Sequence, residues 1–298
     1  MMVWLAATNT GLVLGLIMAF CVLGLAVAYR LFNFPDLTIE GSFLLGAVGV
    51  AIAQKHGLPL WISFIVAMLL GALAGALTAY LHTKLKVNKF LAGIIVGAIC
   101  YTAGLRLMGA SNIGLLGVNS FFDELDALVN LGPVAVSMIF VLISMVALVG
   151  VVLLLIMNSR LGLRLRVAGS NAGYAKSLGV GVVASMVVAL ALTNALAAFS
   201  GAMLAIHQGF ADINLGQGTL IFALASMSVG ERLIQESKLT LVSYVLVTAV
   251  LGSVVYQLLM AFAIRAGLNP VDLKLVTAMF VLALIALRVR KADDAALQ

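Results

Sequence analysis

Apolar segments long enough to cross a bilayer follow one another along almost the whole chain, and this pattern limits the fold more than any other. Of the 298 residues, 64% are hydrophobic and only 9% are charged, whereas a soluble domain carries about 25% charged residues. A chain of this length cannot hide so much apolar surface from water, so lipid must be its solvent. We therefore predict an all-α fold, a single transmembrane bundle that covers residues 1–298.

Nine apolar segments are predicted, and two of them are short. Most reach the roughly 20 residues that cross a membrane as a helix, but 41–54 and 217–230 have only 14 each. These two would cover about 21 Å of a hydrocarbon core about 30 Å thick. We predict that they are half-helices, each entered from a non-helical break. The nine segments are 11–30, 41–54, 59–81, 90–108, 133–157, 183–207, 217–230, 239–264 and 272–288.

The two short segments follow breaks of similar sequence. Residues 34–39 read Phe-Pro-Asp-Leu-Thr-Ile, and residues 210–215 read Phe-Ala-Asp-Ile-Asn-Leu. Each break places a carboxylate in apolar sequence, and an ionisable residue inside a membrane is costly unless it faces the bundle interior or a cavity. Paired broken segments in two halves of a chain indicate a transporter built from repeats, with its pathway at the breaks.

The candidate pathway residues are the polar and aromatic residues at these breaks. Two interpretations of Asp36 and Asp212 stay open. They could act as N-terminal caps that hold the breaks in shape, or they could contact the solute, together with the positive ends of the half-helices. The candidates are Asn33, Phe34, Asp36, Thr38, Glu40, Phe210, Asp212, Asn214 and Gln217.

Lysine and arginine residues predict how the segments are oriented. With the N-terminus outside and the segments alternating, thirteen of the 17 Lys and Arg residues fall on the cytoplasmic side and four outside. Cytoplasmic loops carry such an excess, so we predict an external N-terminus and a cytoplasmic C-terminus. In this topology the two halves have opposite orientations. The predicted inverted repeats are 11–108 and 183–288, with 133–157 as a connecting span.

The cytoplasmic stretch 158–182 is the longest and most basic of the predicted internal loops. Within it, a short helix is predicted over 172–178, with Asn171 as its N-cap and Gly179 as its terminator. Tyr174 and Leu178 would then lie on one face. A helix this short is not stable alone and needs a partner surface. The alternative is a basic loop that lies on lipid headgroups.

No sequence pattern points to catalysis, a metal or nucleic acid. The chain contains no phosphate-binding loop of the Gly-x-x-x-x-Gly-Lys-Ser/Thr type and no His-Glu-x-x-His. Cys21 and Cys100 lie in apolar runs and are interpreted as small packing residues. The positive net charge is expected at the cytoplasmic rim of a membrane protein. We therefore predict neither a cofactor nor a metal site in this chain.

Two stretches resemble the permease subunits of bacterial ATP-binding cassette (ABC) importers, the family of the branched-chain amino acid and ribose permeases. Residues 34–42 resemble that family's Asp-Leu-Ser-x-Gly-Ser break, and residues 162–180 resemble its cytoplasmic loop. The likeness covers essentially the whole chain and is closest to tryptophan- and tyrosine-type permeases. The second break, 210–216, differs from that of the sugar permeases, which makes a sugar substrate less favoured.

The resemblance implies a permease of the bacterial inner membrane that works by alternating access on a small, amino acid-like solute. It implies a homodimer, a separate ATPase that binds ATP and Mg, and a periplasmic or lipid-anchored binding protein. A secondary transporter driven by ions at Asp36, Glu40 or Asp212 stays the alternative. The cytoplasmic loop would supply the coupling helix that docks on the ATPase. The implied coupling residues are Arg164, Arg166, Gly169, Asn171, Tyr174, Lys176, Leu178 and Gly179.

Overall fold

The computed structural model describes residues 2–115, 134–234 and 239–269, together with Asp272, Leu275, Met279 and Leu282. Within these ranges the chain is mostly helical, and a π-helical turn, Val27–Leu31, extends the first helix. The helices are α1 (Met2–Ala26), α2 (Ile39–Lys55), α3 (Leu60–Thr83), α4 (Lys89–Met108), α5 (Val134–Asn158), α6 (Arg160–Ser170), α7 (Ala172–Ser177), α8 (Val182–Gln208), α9 (Thr219–Leu233) and α10 (Leu241–Arg265).

Six helices in the described part of the chain are long and apolar enough to cross a membrane, namely α1, α3, α4, α5, α8 and α10. The prediction of a polytopic helical bundle is therefore confirmed for this part. The segments predicted to be short form α2, with 17 residues, and α9, with 15. The predicted segment 272–288 lies largely outside the described residues.

A short antiparallel ribbon makes the all-α prediction wrong in one detail. Strand β1 (Asn112–Gly114) pairs with β2 (Phe210–Asp212), so that Asn112 lies opposite Asp212 and Gly114 opposite Phe210. Beyond α8 the backbone turns away at Gly209, whose φ is +75°. Backbone groups in an apolar setting need partners, and the strand after α4 provides them.

The centre of the bundle consists of α1, α2 and α8, and glycines let neighbouring helices approach closely. Gly71 and Gly75 of α3 face the backbone of α8, while Gly11 and Gly15 of α1 face α10. A Cβ at Gly75 would lie 2.1 Å from the carbonyl oxygen of Leu190. Close helix approach through small residues is how packing stabilises helices in lipid. Thus α3 lies on α8, and α10 lies on α1.

Replacing Gly46 by alanine is expected to lower the thermal stability of the protein. A Cβ at this position in α2 would lie 1.9 Å from the carbonyl oxygen of Ala198 in α8, so the two helices must separate, at a cost of about 1–3 kcal/mol. The matched control is Gly150→Ala, because a Cβ there meets nothing within 4 Å. Melting temperatures of both purified variants in detergent measure the difference, and equal values would contradict the close contact.

Candidate functional site

The first break, residues 32–38, is enclosed by the bundle. Phe34, Asp36 and Thr38 are buried there, while Asn33 is exposed and has a φ of +51°. Asparagine tolerates this left-handed conformation better than most residues. The ammonium of Lys89, at the start of α4, donates to the carbonyl oxygen of Asn33 at 3.0 Å. The break is therefore held at one end of the bundle.

Both carboxylate oxygens of Asp36 already accept hydrogen bonds from the protein. Oδ1 accepts from the backbone N–H of Thr38 at 2.9 Å, and Oδ2 accepts from Nδ2 of Asn194 at 2.5 Å. The carbonyl oxygen Oδ1 of Asn194 accepts in turn from Oγ of Ser42 at 2.6 Å. Thr38 shares a 2.6 Å hydrogen bond with Thr78 of α3. All five side chains are buried, so this network fastens the break to α2, α3 and α8.

The second break, residues 209–218, has a similar turn but is more open. Oδ1 of Asp212 accepts from the backbone N–H of Asn214 at 2.8 Å, just as Asp36 accepts from the N–H two residues ahead. Nε2 of Gln217 donates to Oδ1 of Asn214 at 2.9 Å. Phe210, Asn214 and Gln217 are exposed. The geometry favours a shaping role for both aspartates.

Neither aspartate is the N-cap of the helix that follows it. The N-cap of α2 is Thr38, and that of α9 is Gly218, whose φ is +87°. The helices begin three and seven residues after the aspartates, too far for the side chain to reach the N2 or N3 amide of the helix. The capping interpretation is therefore corrected. Asp36 and Asp212 shape the turns inside the breaks.

Glu40 connects the two breaks directly. Its Oε1 accepts from the backbone N–H of Gly218 at 3.0 Å, across 178 residues of sequence. Gly216 approaches the backbone of Glu40 so closely that a Cβ there would lie 2.1 Å from the Glu40 carbonyl oxygen. A carboxylate at this place is favourable because the start of α9 has free N–H groups and a positive dipole end. The start of α9 is thus held by a residue from the other half of the chain.

A pocket of about 250 Å³ lies where the two breaks meet α4. Of the nine predicted pathway residues, Glu40 and Gln217 line it, and the other seven do not. Its opposite wall consists of Tyr101 and the glycines Gly93 and Gly97 of α4, none of which was predicted as a site residue. The only sequence signal for that wall is the glycine spacing, which is common in transmembrane helices.

A larger groove of about 670 Å³ lies between α1, α5 and α10. All of its described lining residues except Ser243 are apolar. It offers no charge and only one hydroxyl to a polar solute, so it does not suit a solute pathway. The smaller pocket at the breaks is the candidate site.

The predicted short helix on the basic stretch is confirmed. In α7, Oδ1 of Asn171 accepts from the backbone N–H of Tyr174 at 3.0 Å, and Gly179 has a φ of +71°. Tyr174 and Leu178 are both exposed. The residues before Asn171 were predicted to be a loop, and this is wrong, because they form α6, with Ser159 as its side-chain cap.

The other predicted coupling residues lie around this pair of helices. Gly169 of α6 lies directly on the first break, and a Cβ there would lie 2.6 Å from the carbonyl oxygen of Phe32. Nη2 of Arg166 donates to the carbonyl oxygen of Met157 at 3.2 Å, while Arg164 and Lys176 are exposed. The basic stretch is therefore in contact with the first break.

The basic stretch 158–182 and an ion pair lie at the same end of the bundle. Arg30, in the π-helical turn after α1, pairs with Glu231 near the end of α9. The first break and α6 lie at this same end, because Gly169 contacts Phe32. The β ribbon follows the opposite ends of α4 and α8. The first break thus begins where α1 ends, at one end of the bundle, and the second begins where α8 ends, at the opposite end.

Comparison with known proteins assigns the family. Residues 7–286 match the family described as the branched-chain amino acid transport system permease component. The chain belongs to this family. The resemblance noted in the sequence is therefore confirmed, and this permease is a transport subunit rather than an enzyme.

Several curated relatives of the permease are themselves permeases. A tyrosine transport system permease protein of Clostridioides difficile is 33% identical over 271 residues, which cover 91% of this chain and 88% of that protein. An autoinducer 2 import system permease protein of an Enterobacter strain is 27% identical over 197 residues, covering 65% of this chain and 55% of that one.

A solved structure has the same fold as the permease. It is described as PsaBC from Streptococcus pneumoniae in complex with Fab, with a TM-score of 0.53 and 15% identity. The superposition covers 92% of this chain and 89% of the other. At this identity the likeness supports the permease fold only.

Proposed function

We propose that this permease is the membrane subunit of an ATP-driven importer and moves an amino acid by alternating access. The observation that carries the proposal is the meeting of two broken segments, joined by Glu40 and Gly218, beside a pocket. Binding sites at breaks between helices are typical of transporters. The tyrosine transport relative, which matches over most of both chains, supports an amino acid as the solute.

We propose nine spans arranged as two inverted repeats, 11–108 and 183–288, with the N-terminus outside and the C-terminus in the cytoplasm. The helix contacts support this arrangement, because α3 lies on α8 as α10 lies on α1. In the turns after α1 and after α8, Oδ1 of Asp36 and Oδ1 of Asp212 each accept from the backbone N–H two residues ahead. The distribution of lysine and arginine agrees with this orientation.

The proposed partners follow from membership of the family. A separate ATPase would bind ATP and Mg, and a periplasmic or lipid-anchored protein would deliver the solute to a homodimer in the inner membrane. The exposed helix α7 is the proposed docking element for the ATPase. Its apolar side chains Tyr174 and Leu178 are open to a partner, and a helix of six residues needs such support.

A path for the motion can be followed through named contacts. Closure of the ATPase pair would push α7 and then α6, whose Gly169 lies on Phe32 of the first break. A displacement of that break would also move Glu40, whose carboxylate accepts from the N–H of Gly218 at the start of α9. Movement on the cytoplasmic side would therefore shift the backbone at both breaks, which is what alternating access requires.

Uptake into proteoliposomes tests this function. We expect the permease, reconstituted with its proposed ATPase and binding-protein partners, to take up a radiolabelled amino acid when ATP is enclosed with the ATPase. Orthovanadate should abolish this uptake, and an ionophore should leave it unchanged. Uptake by the chain alone that an ionophore abolishes would contradict the proposal and establish the secondary transporter instead.

A further inference from the structure

We propose that Glu40 binds the protonated amine of the transported solute in the pocket between the two breaks. This inference rests on the proposed transport function and names the chemical group that the pocket recognises. It makes Glu40 a specificity-determining residue, in addition to its contact with α9.

The charge of the pocket favours an ammonium group. Among the eleven described residues that line it, Glu40 alone is charged. A carboxylate in a membrane attracts cations and repels anions, and the interaction is stronger there than in water. A solute that carries only negative charge, such as a simple carboxylate or a phosphate, would meet no compensating side chain on this wall.

Glu40 has hydrogen-bonding capacity to spare. Oε1 accepts from the N–H of Gly218 at 3.0 Å, and in the described part of the chain no donor is found for Oε2. Gln217, which lines the same pocket, uses Nε2 to bind Asn214, which leaves its amide oxygen to accept. An ammonium has three donors and no acceptor. Two acceptors that face one pocket therefore suit it.

Asp36 offers a useful contrast, since it is the nearest acidic residue along the sequence. It is fully buried, and both of its oxygens accept hydrogen bonds from the protein. It does not line the pocket. Of the two acidic residues at the first break, Glu40 is the one with an oxygen available to a solute.

The shape of the pocket favours a small solute with an apolar part. Its volume of about 250 Å³ is below the range of about 300–1,000 Å³ typical of sites for drug-sized ligands. Glycines at 41, 93, 97 and 216 line it, and beside Gly97 there is open space. Leu37, Leu44 and Ile213 supply apolar contacts. An amine on a short apolar body matches these walls.

The test compares an amino acid with the same molecule without its amine. In the reconstituted importer, uptake of radiolabelled amino acids is measured first, and the best substrate is paired with its desamino acid (for tyrosine, 3-(4-hydroxyphenyl)propionate). With each solute supplied on saturating amounts of loaded binding protein, we expect the wild type to take up the amino acid faster, and Glu40→Gln to reduce that preference by about tenfold to hundredfold, the range of a hydrogen bond to a charged group. Glu40→Asp, which keeps the charge, should retain much of it.

The amide variant is chosen because it keeps the contact with α9. A glutamine oxygen can still accept from Gly218, so the fold should persist. The matched control is Asp272→Asn, which also replaces a carboxylate by its amide, at an exposed residue that does not line the pocket. It should leave the preference unchanged. An inserted Glu40→Gln variant with wild-type preference would overturn the inference.

A second variant decides the matter if the first fails to insert. Gln217 is exposed, so Gln217→Glu should fold, and a second carboxylate in the pocket should lower the KM for the amino acid. An unchanged KM, or a wild type that transports the desamino acid equally well, would overturn the role of Glu40. ATP-driven uptake of amino acids that persists in either case would leave the proposed function standing. Absence of any such uptake would reject both.

Discussion

Replacing Tyr174 or Leu178 by aspartate is expected to abolish both ATPase binding and transport, while the permease still inserts in the membrane. Tyr174 is 58% exposed and Leu178 is 56% exposed, so neither contributes much to the fold. Both belong to the short helix α7 and its end, which we propose to dock on the ATPase. A charge placed in such a contact loses apolar burial and adds desolvation. Co-purification with the ATPase and ATP-driven uptake measure the two losses.

The matched control for this prediction is Leu85→Asp. Leu85 is 59% exposed and lies in the loop between α3 and α4, near the same end of the bundle as α7. The change in charge and apolar surface is therefore equivalent, and ATPase binding should persist. If either α7 variant still co-purifies with the ATPase at the wild-type ratio, α7 is not the docking element. Equal loss in the control would show that any added charge at this end prevents assembly.

Replacing Asn194 by leucine is expected to destabilise the permease strongly, although it makes the central helix more apolar. The side chain of Asn194 donates to Oδ2 of Asp36 and accepts from Oγ of Ser42. Leucine would leave the buried carboxylate without this donor and the Ser42 hydroxyl without its acceptor. Hydrogen bonds to charged groups contribute about 1.5–3 kcal/mol each, and the unpaired buried groups add to the cost. We expect a clear fall in the melting temperature of the protein in detergent.

The control for this change is the same substitution at an exposed asparagine. Asn214 accepts from Nε2 of Gln217 at the open second break, so Asn214→Leu should cost no more than about 1 kcal/mol. A melting temperature of Asn194→Leu equal to that of the wild type would mean that Asp36 does not need its partner. The network would then not be what holds the first break in place.

Much of the fold could be predicted because membrane insertion depends on local composition. A helix in lipid satisfies all of its own backbone hydrogen bonds, so an apolar run of sufficient length indicates a span without knowledge of its neighbours. The six long helices of the described chain are of this kind. The cap of α7 is also local, since Asn171 and the N–H it accepts from are three residues apart. The stretch before it was predicted to be a loop, whereas Gly162, Leu165 and Ala168 form the buried side of α6.

The candidate site could be predicted only in part. Glu40 and Gln217 were recognised as polar residues at breaks, and both line the pocket. The wall provided by α4 was missed because Tyr101 and Gly97 stand in an ordinary apolar helix. Asn194 was missed for a related reason, since one amide in a long apolar span does not reveal its partner in the sequence.

By itself, the sequence determined that this protein is a helical membrane bundle with two breaks and a short exposed helix on a basic stretch. These features arise from hydrophobicity and from hydrogen bonds between residues a few positions apart. Only the tertiary structure decided that Asn194 holds Asp36 across 158 residues and that Glu40 holds Gly218 across 178. It also decided that β1 and β2 pair. Such contacts depend on how closely helices approach at their glycines, and that distance is a property of the packed bundle.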